Sequence, residues 1–278
     1  MKRSRAWMTA RVAVFALAAF VLNFPLIATL VTSLKSEAEI GSNPTLAIEA
    51  PTLANYRAIR DVADRFDILH YLGNSTVAAG LGSCLALLLA YPAAYAIARS
   101  RVGAGWLLPI VANLRAVPLI IFSIPIYLVY QRIHLLDTRL GLALILCLVN
   151  LPLVLVLLVN AFKDLPLAVE EAARMDGAST VALLTHVVLP LSAPIVASSL
   201  ILSFIYAWNE FLFGLMLTTE RAVPVTVGAS FFFAASGGGI RWGVASAVML
   251  VSVLPPLLIS LLAYRFVGRA LTAGAVKG

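Results

Sequence analysis

The residues with the most chemistry to offer lie in one polar interruption of an otherwise apolar chain, 161–194. Pro166 can open a helix there, and Glu170 and Glu171 fall in its early turns, where carboxylates favour the helix dipole. Glu170 and Arg174 stand i,i+4, a spacing that supports the helix slightly. Gly177 ends it, because glycine readily takes the left-handed C′ position. Val169, Ala172, Ala173 and Asp176 are spaced i, i+3, i+4 and i+7, so they share a face on which the alanines permit close approach of another surface. This is docking chemistry rather than catalysis. A connector packed under its own bundle and a surface offered to another protein both fit these residues.

A second set consists of polar residues inside apolar runs, where ionisable groups are expensive and face a cavity or a partner. Arg115 and Glu210 are the ionisable members, and Asn113, Asn150, Asn160, Trp208 and Asn209 are neutral companions. Hydrogen-bonding groups and an aromatic face are what a polar solute would need along a route through an apolar medium. The same groups also serve as bonds between helices, Arg115 can snorkel to an interface, and Glu210 can meet a partner chain. Constellations for catalysis are missing. His70, His134 and His186 lie far apart, Cys84 and Cys147 sit in apolar runs as small hydrophobes, and no Gly-x-x-x-x-Gly-Lys-Ser/Thr loop cradles a phosphate. No metal, cofactor or catalytic residue is expected.

The elements that position these residues follow from composition. Of 278 residues, 62% are hydrophobic and 12% charged, and mean hydropathy is +0.99. A water-facing exterior needs more charge than that, so lipid is the exterior. The basic residues stand singly at the edges of apolar runs, which fits membrane topology and not nucleic acid despite the net charge of +7. Six runs are long enough to cross a bilayer, at about 12–34, 75–98, 106–130, 139–161, 192–217 and 243–266. Backbone in hydrocarbon must satisfy itself, and no run alternates like a barrel strand, so the expected fold is all-α with six transmembrane helices. The first run is too long for a signal peptide and reads as an uncleaved helix. With the N-terminus inside, eleven Lys and Arg fall on inner segments and eight on outer ones, which favours cytoplasmic N and C termini. Residues 35–72 then form an outer loop and a short polar helix, which fit both a solvated connector and a contact surface for a partner on that side, and Gly237-Gly238-Gly239 form a flexible turn before the last span. Asn74-Ser75-Thr76 stands at a helix entrance, where it caps rather than carries glycan.

Glu171-Ala172-Ala173, then Gly177, Val187 and Leu189-Pro190 at their spacings, resemble the EAA loop of ABC importer permeases; Val187 replaces the usual Ile. Trp208-Asn209-Glu210-Phe211, Tyr95-Ala96-Ile97-Ala98-Arg99, Asn74-Ser75 and the C-terminal Gly-Ala-Val-Lys-Gly resemble the carbohydrate-uptake branch that includes maltose and glycerol-phosphate transporters. The resemblance covers most of residues 50–278. It implies the type I permease fold as a single transmembrane domain, with 162–191 as the cytoplasmic loop that carries the coupling helix. By position Glu170, Glu171, Ala172, Ala173, Asp176, Gly177, Leu189 and Pro190 inherit coupling to an ATPase. It further implies a second permease subunit, two copies of an ATP-binding subunit, an extracytoplasmic substrate-binding protein and a sugar substrate. Two rival readings want features that are absent. An ion-driven carrier wants several intramembrane carboxylates and an internal repeat, and a membrane enzyme wants clustered catalytic groups.

Overall fold

A computed structural model describes residues 2–61, 67–234 and 240–275, so the turn expected at Gly237–Gly239 lies outside the described residues. The regular elements among them are all helical. In chain order they are α1 (Lys2–Ser33), α2 (Glu37–Ser42), α3 (Ala54–Asp61), α4 (Ile68–Ser100), α5 (Leu107–Leu114), α6 (Ile120–Arg132) and α7 (Arg139–Lys163). Then follow α8 (Leu167–Met175), α9 (Thr180–Leu183), α10 (Leu189–Trp208), α11 (Leu212–Leu217), α12 (Val225–Ala234) and α13 (Trp242–Ala275). A π-helical turn, Leu184–Val188, joins α9 to α10, so Thr180–Trp208 runs as one rod.

Among the described residues five helices are apolar over a membrane-crossing length: Trp7–Ser33, Ile68–Ser100, Arg139–Lys163, Thr180–Trp208 and Trp242–Leu261. The third expected span, 106–130, is not one helix but the pair α5 and α6. Pro118 disfavours helical backbone at Val117. The chain turns there, with Ala116 N–H donating to the Asn113 carbonyl at 2.9 Å and Val117 N–H to that of Leu114 at 3.3 Å. The fifth expected span, 192–217, also differs: its helix begins at Thr180 and stops at Trp208, and α11 follows a short break. The second begins at Ile68 rather than 75, which puts Asn74 and Ser75 inside a helix instead of at its entrance.

The chain divides into two compact units, one of residues 1–68 and 228–253, the other of 69–227 and 254–278. In the first, the connector after α1 is tied by buried polar groups. Lys35 is buried and donates its ammonium to the carbonyls of Asn43 (2.9 Å) and Thr45 (2.7 Å). The Asn55 amide donates to the carbonyls of Ser33 and Lys35.

The second unit is built on helix packing of period four. Ala86, Ala90 and Ala94 on α4 face Val154, Leu158 and Phe162 on α7 in one hydrophobic core. Small residues on one side let the backbones come close, as membrane helices require without a hydrophobic drive between them. A Cβ at Gly82 would stand 2.9 Å from both the Ala143 carbonyl oxygen and Leu146 Cβ, so this crossing tolerates only glycine.

Candidate functional site

The polar interruption folds as the sequence suggests, and its fastening is what the sequence conceals. Pro166 is the N-cap of α8, and the helix ends in a Schellman motif. Gly177, at φ 84°, donates its N–H to the Arg174 carbonyl, and Ala178 donates to that of Ala173, each at 3.0 Å. Ser179 then caps α9 by accepting from Ala182 N–H.

Glu170 turns inward and is 3% exposed. Its Oε1 accepts from Arg99 Nη2 at 2.6 Å and Nε at 3.0 Å, and its Oε2 accepts from the Tyr95 hydroxyl at 2.8 Å. Arg99 Nη2 also reaches the Leu165 carbonyl, and Arg174 Nη2 donates to the Tyr95 hydroxyl at 3.1 Å. So Glu170 does not pair with Arg174 at i,i+4, as the spacing suggested. Both instead fasten α8 to the end of α4. Tyr91, one turn earlier on α4, donates to the Leu184 carbonyl in the π-helical turn at 3.0 Å and packs edge-on against Phe162.

With Glu170 inside, the opposite face of α8 is free. Ala168, Glu171, Ala172, Met175 and Asp176 are exposed, Met175 at 88%. The face expected from spacing is corrected at Ala173, which is half-buried against the hydrophobic core beside Val187. The exposed surface is centred on Ala168, Ala172 and Met175. Gly177, Leu189 and Pro190 are exposed too.

The opposite end of this unit is held by backbone. Asp137, at φ 53°, accepts from the N–H groups of Thr219, Glu220, Arg221 and Ala222 at 3.0–3.2 Å, while its own N–H donates to the Leu217 carbonyl. Partial burial works against ionisation of this carboxyl, but the N–H groups of Arg221, Thr219, Ala222 and Glu220 outweigh it and hold the pKa down at about 2. Asn74 adds a second tie. Its amide donates to the carbonyls of Arg221 and Val223, and its Oδ1 accepts from Arg139 Nε at 2.7 Å. Ser75 Oγ accepts from Val225 N–H.

The polar residues expected within the membrane do not form one cluster. Arg115 caps α5 in the break before α6, and its guanidinium lies 5.7 Å from the centre of the Tyr206 ring, a cation–π contact. Both line a cavity of about 310 Å³ with Phe122, Val149 and Phe213. Asn113 and Asn209 are exposed and donate to carbonyls four residues back, those of Pro109 and Ile205. Asn150 is buried, donates to the Leu146 carbonyl and leaves Oδ1 without a partner among the described residues. Trp208 is buried against Phe204. Glu210 accepts from the N–H groups of Phe213 and Gly214 and so caps α11, while its carbonyl accepts from Thr226. Among the described residues no group of His, Cys, Asp and Glu is placed to hold a metal ion.

Tyr95, Arg99 and Asp137 carry no role in the sequence reading. A signal for the first two was available: Tyr91, Tyr95 and Arg99 stand at period four at the end of an apolar helix, a polar stripe that must meet partners. Asp137 has no such pattern, because its partners are backbone groups 82–85 residues away.

Comparison with known proteins bears on the whole chain. Residues 82–273 match the family described as binding-protein-dependent transport system inner membrane component. The trehalose/maltose transport system permease protein MalG of Thermococcus litoralis is 35% identical over 265 residues, covering 94% of each chain. The sulfoquinovosyl glycerol transport system permease protein SmoH of Agrobacterium fabrum is 34% identical over 92% of this chain and 89% of its own. A crystal structure of a bacterial ABC transporter involved in the import of the acidic polysaccharide alginate contains a chain of the same fold. It aligns with TM-score 0.78 and 20% identity over 95% of this chain and 98% of that one. This protein belongs to the binding-protein-dependent transport system inner membrane components, among the sugar ABC importer permeases.

Proposed function

We propose that the chain is a translocation subunit that imports a carbohydrate, drawing on ATP hydrolysed by a separate subunit that docks on α8. The observation that carries this reading is the exposed Ala168–Ala172–Met175 face, presented on a short helix whose other face is locked by Glu170. Small side chains let a partner's cleft close on the helix, and the flanking Glu171 and Asp176 offer charges at its rim. The chain's own residues supply no phosphate-binding loop, in keeping with hydrolysis elsewhere.

In this reading the α8 end faces the cytoplasm with both chain termini, and 1–278 works as one permease domain. A second permease, two ATPase copies and a binding protein on the far side complete the transporter. The Asp137 end would receive the loaded binding protein. ATP and the loaded binding protein each favour one conformer, and alternation between the two moves the sugar. Arg115 and Tyr206, and apart from them Asn113, Asn150, Trp208, Asn209 and Glu210, would line the route or the contact with the second permease. The names of the relatives direct the substrate search to trehalose, maltose and sulfoquinovosyl glycerol.

The test is uptake of labelled trehalose, maltose and sulfoquinovosyl glycerol by proteoliposomes holding the assembled transporter, with ATP inside and binding protein outside. Uptake of one of them that needs both ATP and the ATPase subunit supports the reading. Uptake that persists without the ATPase subunit and follows an ion gradient would overturn it.

A further inference from the structure

We infer that Glu170 is a positioning residue rather than a docking contact: with Arg99 and Tyr95 it forms a strut that makes α8 and the end of α4 move as one body. The inference rests on the proposal that α8 receives the push of an ATPase, and it names the path by which the push enters the membrane.

Three observations carry it. First, Glu170 is unavailable to a partner, since its side chain is 3% exposed and that of Arg99 9%. Second, every carboxylate oxygen is engaged. Oε1 receives two Arg99 nitrogens and Oε2 the Tyr95 hydroxyl with Arg99 Nε at 3.2 Å, so rotating α8 on α4 would break several charge-assisted bonds at once. Third, the link is braced on both sides. Arg99 also holds the Leu165 carbonyl just before α8, Arg174 holds the Tyr95 hydroxyl from the next turn, and Tyr95 packs on Phe162 of α7.

A loose connector between α7 and α8 would let the docking helix swivel without bending the bundle. The segment between them, Asp164–Pro166, is short, yet nothing in a three-residue link by itself fixes the angle of α8. The buried ion pair does, because pulling it apart leaves both the Arg99 cation and the Glu170 carboxylate without their counter-charge. Motion of α8 is thereby delivered to α4, the helix whose far end holds Asn74 and the Arg221–Val223 segment. The strut thus couples the docking end to the opposite mouth of the same unit.

The experiment uses the assembled transporter with Cys84 replaced by Ser and spin labels on exposed Ser100→Cys and Leu167→Cys, and compares nucleotide-free and ATP–vanadate-trapped states. The wild-type strut predicts an unchanged α4–α8 distance in the two states. In Glu170→Met with Arg99→Met, which removes both charges together, the distance is expected to shift or broaden on trapping. A wild-type distance that changes by several ångströms overturns the strut, whatever the variant does. So does a double variant whose distance stays fixed. An Ala172→Cys cross-link to the ATPase subunit, measured in parallel, separates the two claims. Its absence sinks the docking reading, whereas its presence with a changing wild-type distance sinks the strut alone.

Discussion

The two ends of the α4–α7–α10 unit each hang on one carboxylate, and they hold it differently. Glu170 is held by side chains, a guanidinium and a phenol from α4. Asp137 is held by four consecutive backbone N–H groups. A side-chain clasp fixes two helices to each other and can be exchanged for another matched pair. A backbone nest fixes the shape of a loop, and only a carboxylate can fill it. The first suits a joint that transmits force, and the second suits a surface that must keep one contour.

Glu170→Gln alone should have the largest effect, because it leaves the Arg99 cation buried without a counter-charge. Stability should fall by about 3–5 kcal/mol, read by unfolding of the purified transporter in detergent. Adding Arg99→Met should return most of that loss, and a double variant no better than the single would contradict the exchangeable clasp.

Asp137→Asn comes next. An amide accepts more weakly than a carboxylate and brings donors toward N–H groups, so about 2 kcal/mol should be lost, with no partner substitution able to restore it. Amide hydrogen exchange at Thr219–Ala222 should quicken while α8 stays protected. This end should also answer to acid. The folded carboxyl titrates at about 2 against an ordinary 3.8, so its ionised form stabilises the loop above 3.8 and that support is lost as pH falls through about 2. The Asn variant should lack that step.

Gly177→Ala tests the geometry of α8 without touching either carboxylate. A Cβ there meets nothing within 4 Å, so only the left-handed backbone resists it. The expected cost is about 1–2 kcal/mol, seen as fraying of α8 by hydrogen exchange. Tyr95→Phe is the mildest, removing the hydroxyl that joins Glu170 to Arg174 for about 1 kcal/mol. A larger loss from Tyr95→Phe than from Glu170→Gln would reverse the assigned order of the clasp.

How much of this the sequence discloses follows from how local each cause is. Helical membrane architecture is legible in hydropathy, and α8 with its glycine stop is legible because a cap and a period act within a few residues. The break at 115–119 was legible only in part. Pro118 marks it, but membrane helices often absorb a proline, and the turn depends on packing of α5 against α7. The burial of Glu170 was not legible because adjacent carboxylates, Glu170 and Glu171, look alike in sequence while a step of about 100° on the helix turns one into the core and leaves the other exposed. Glu210 shows the same limit: an acid within an apolar run suggests a pathway, and here it caps α11, a short helix that hydropathy alone merges into its neighbour.

If the two ends of this unit serve different partners, site-specific cross-linking will tell them apart. The assembled transporter would carry Met175→Cys or Glu220→Cys in a background with exposed Cys84 replaced by Ser. Met175→Cys should join the ATPase subunit and never the binding protein, while Glu220→Cys should show the reverse. Capture of the ATPase from Glu220, or of the binding protein from Met175, would contradict it.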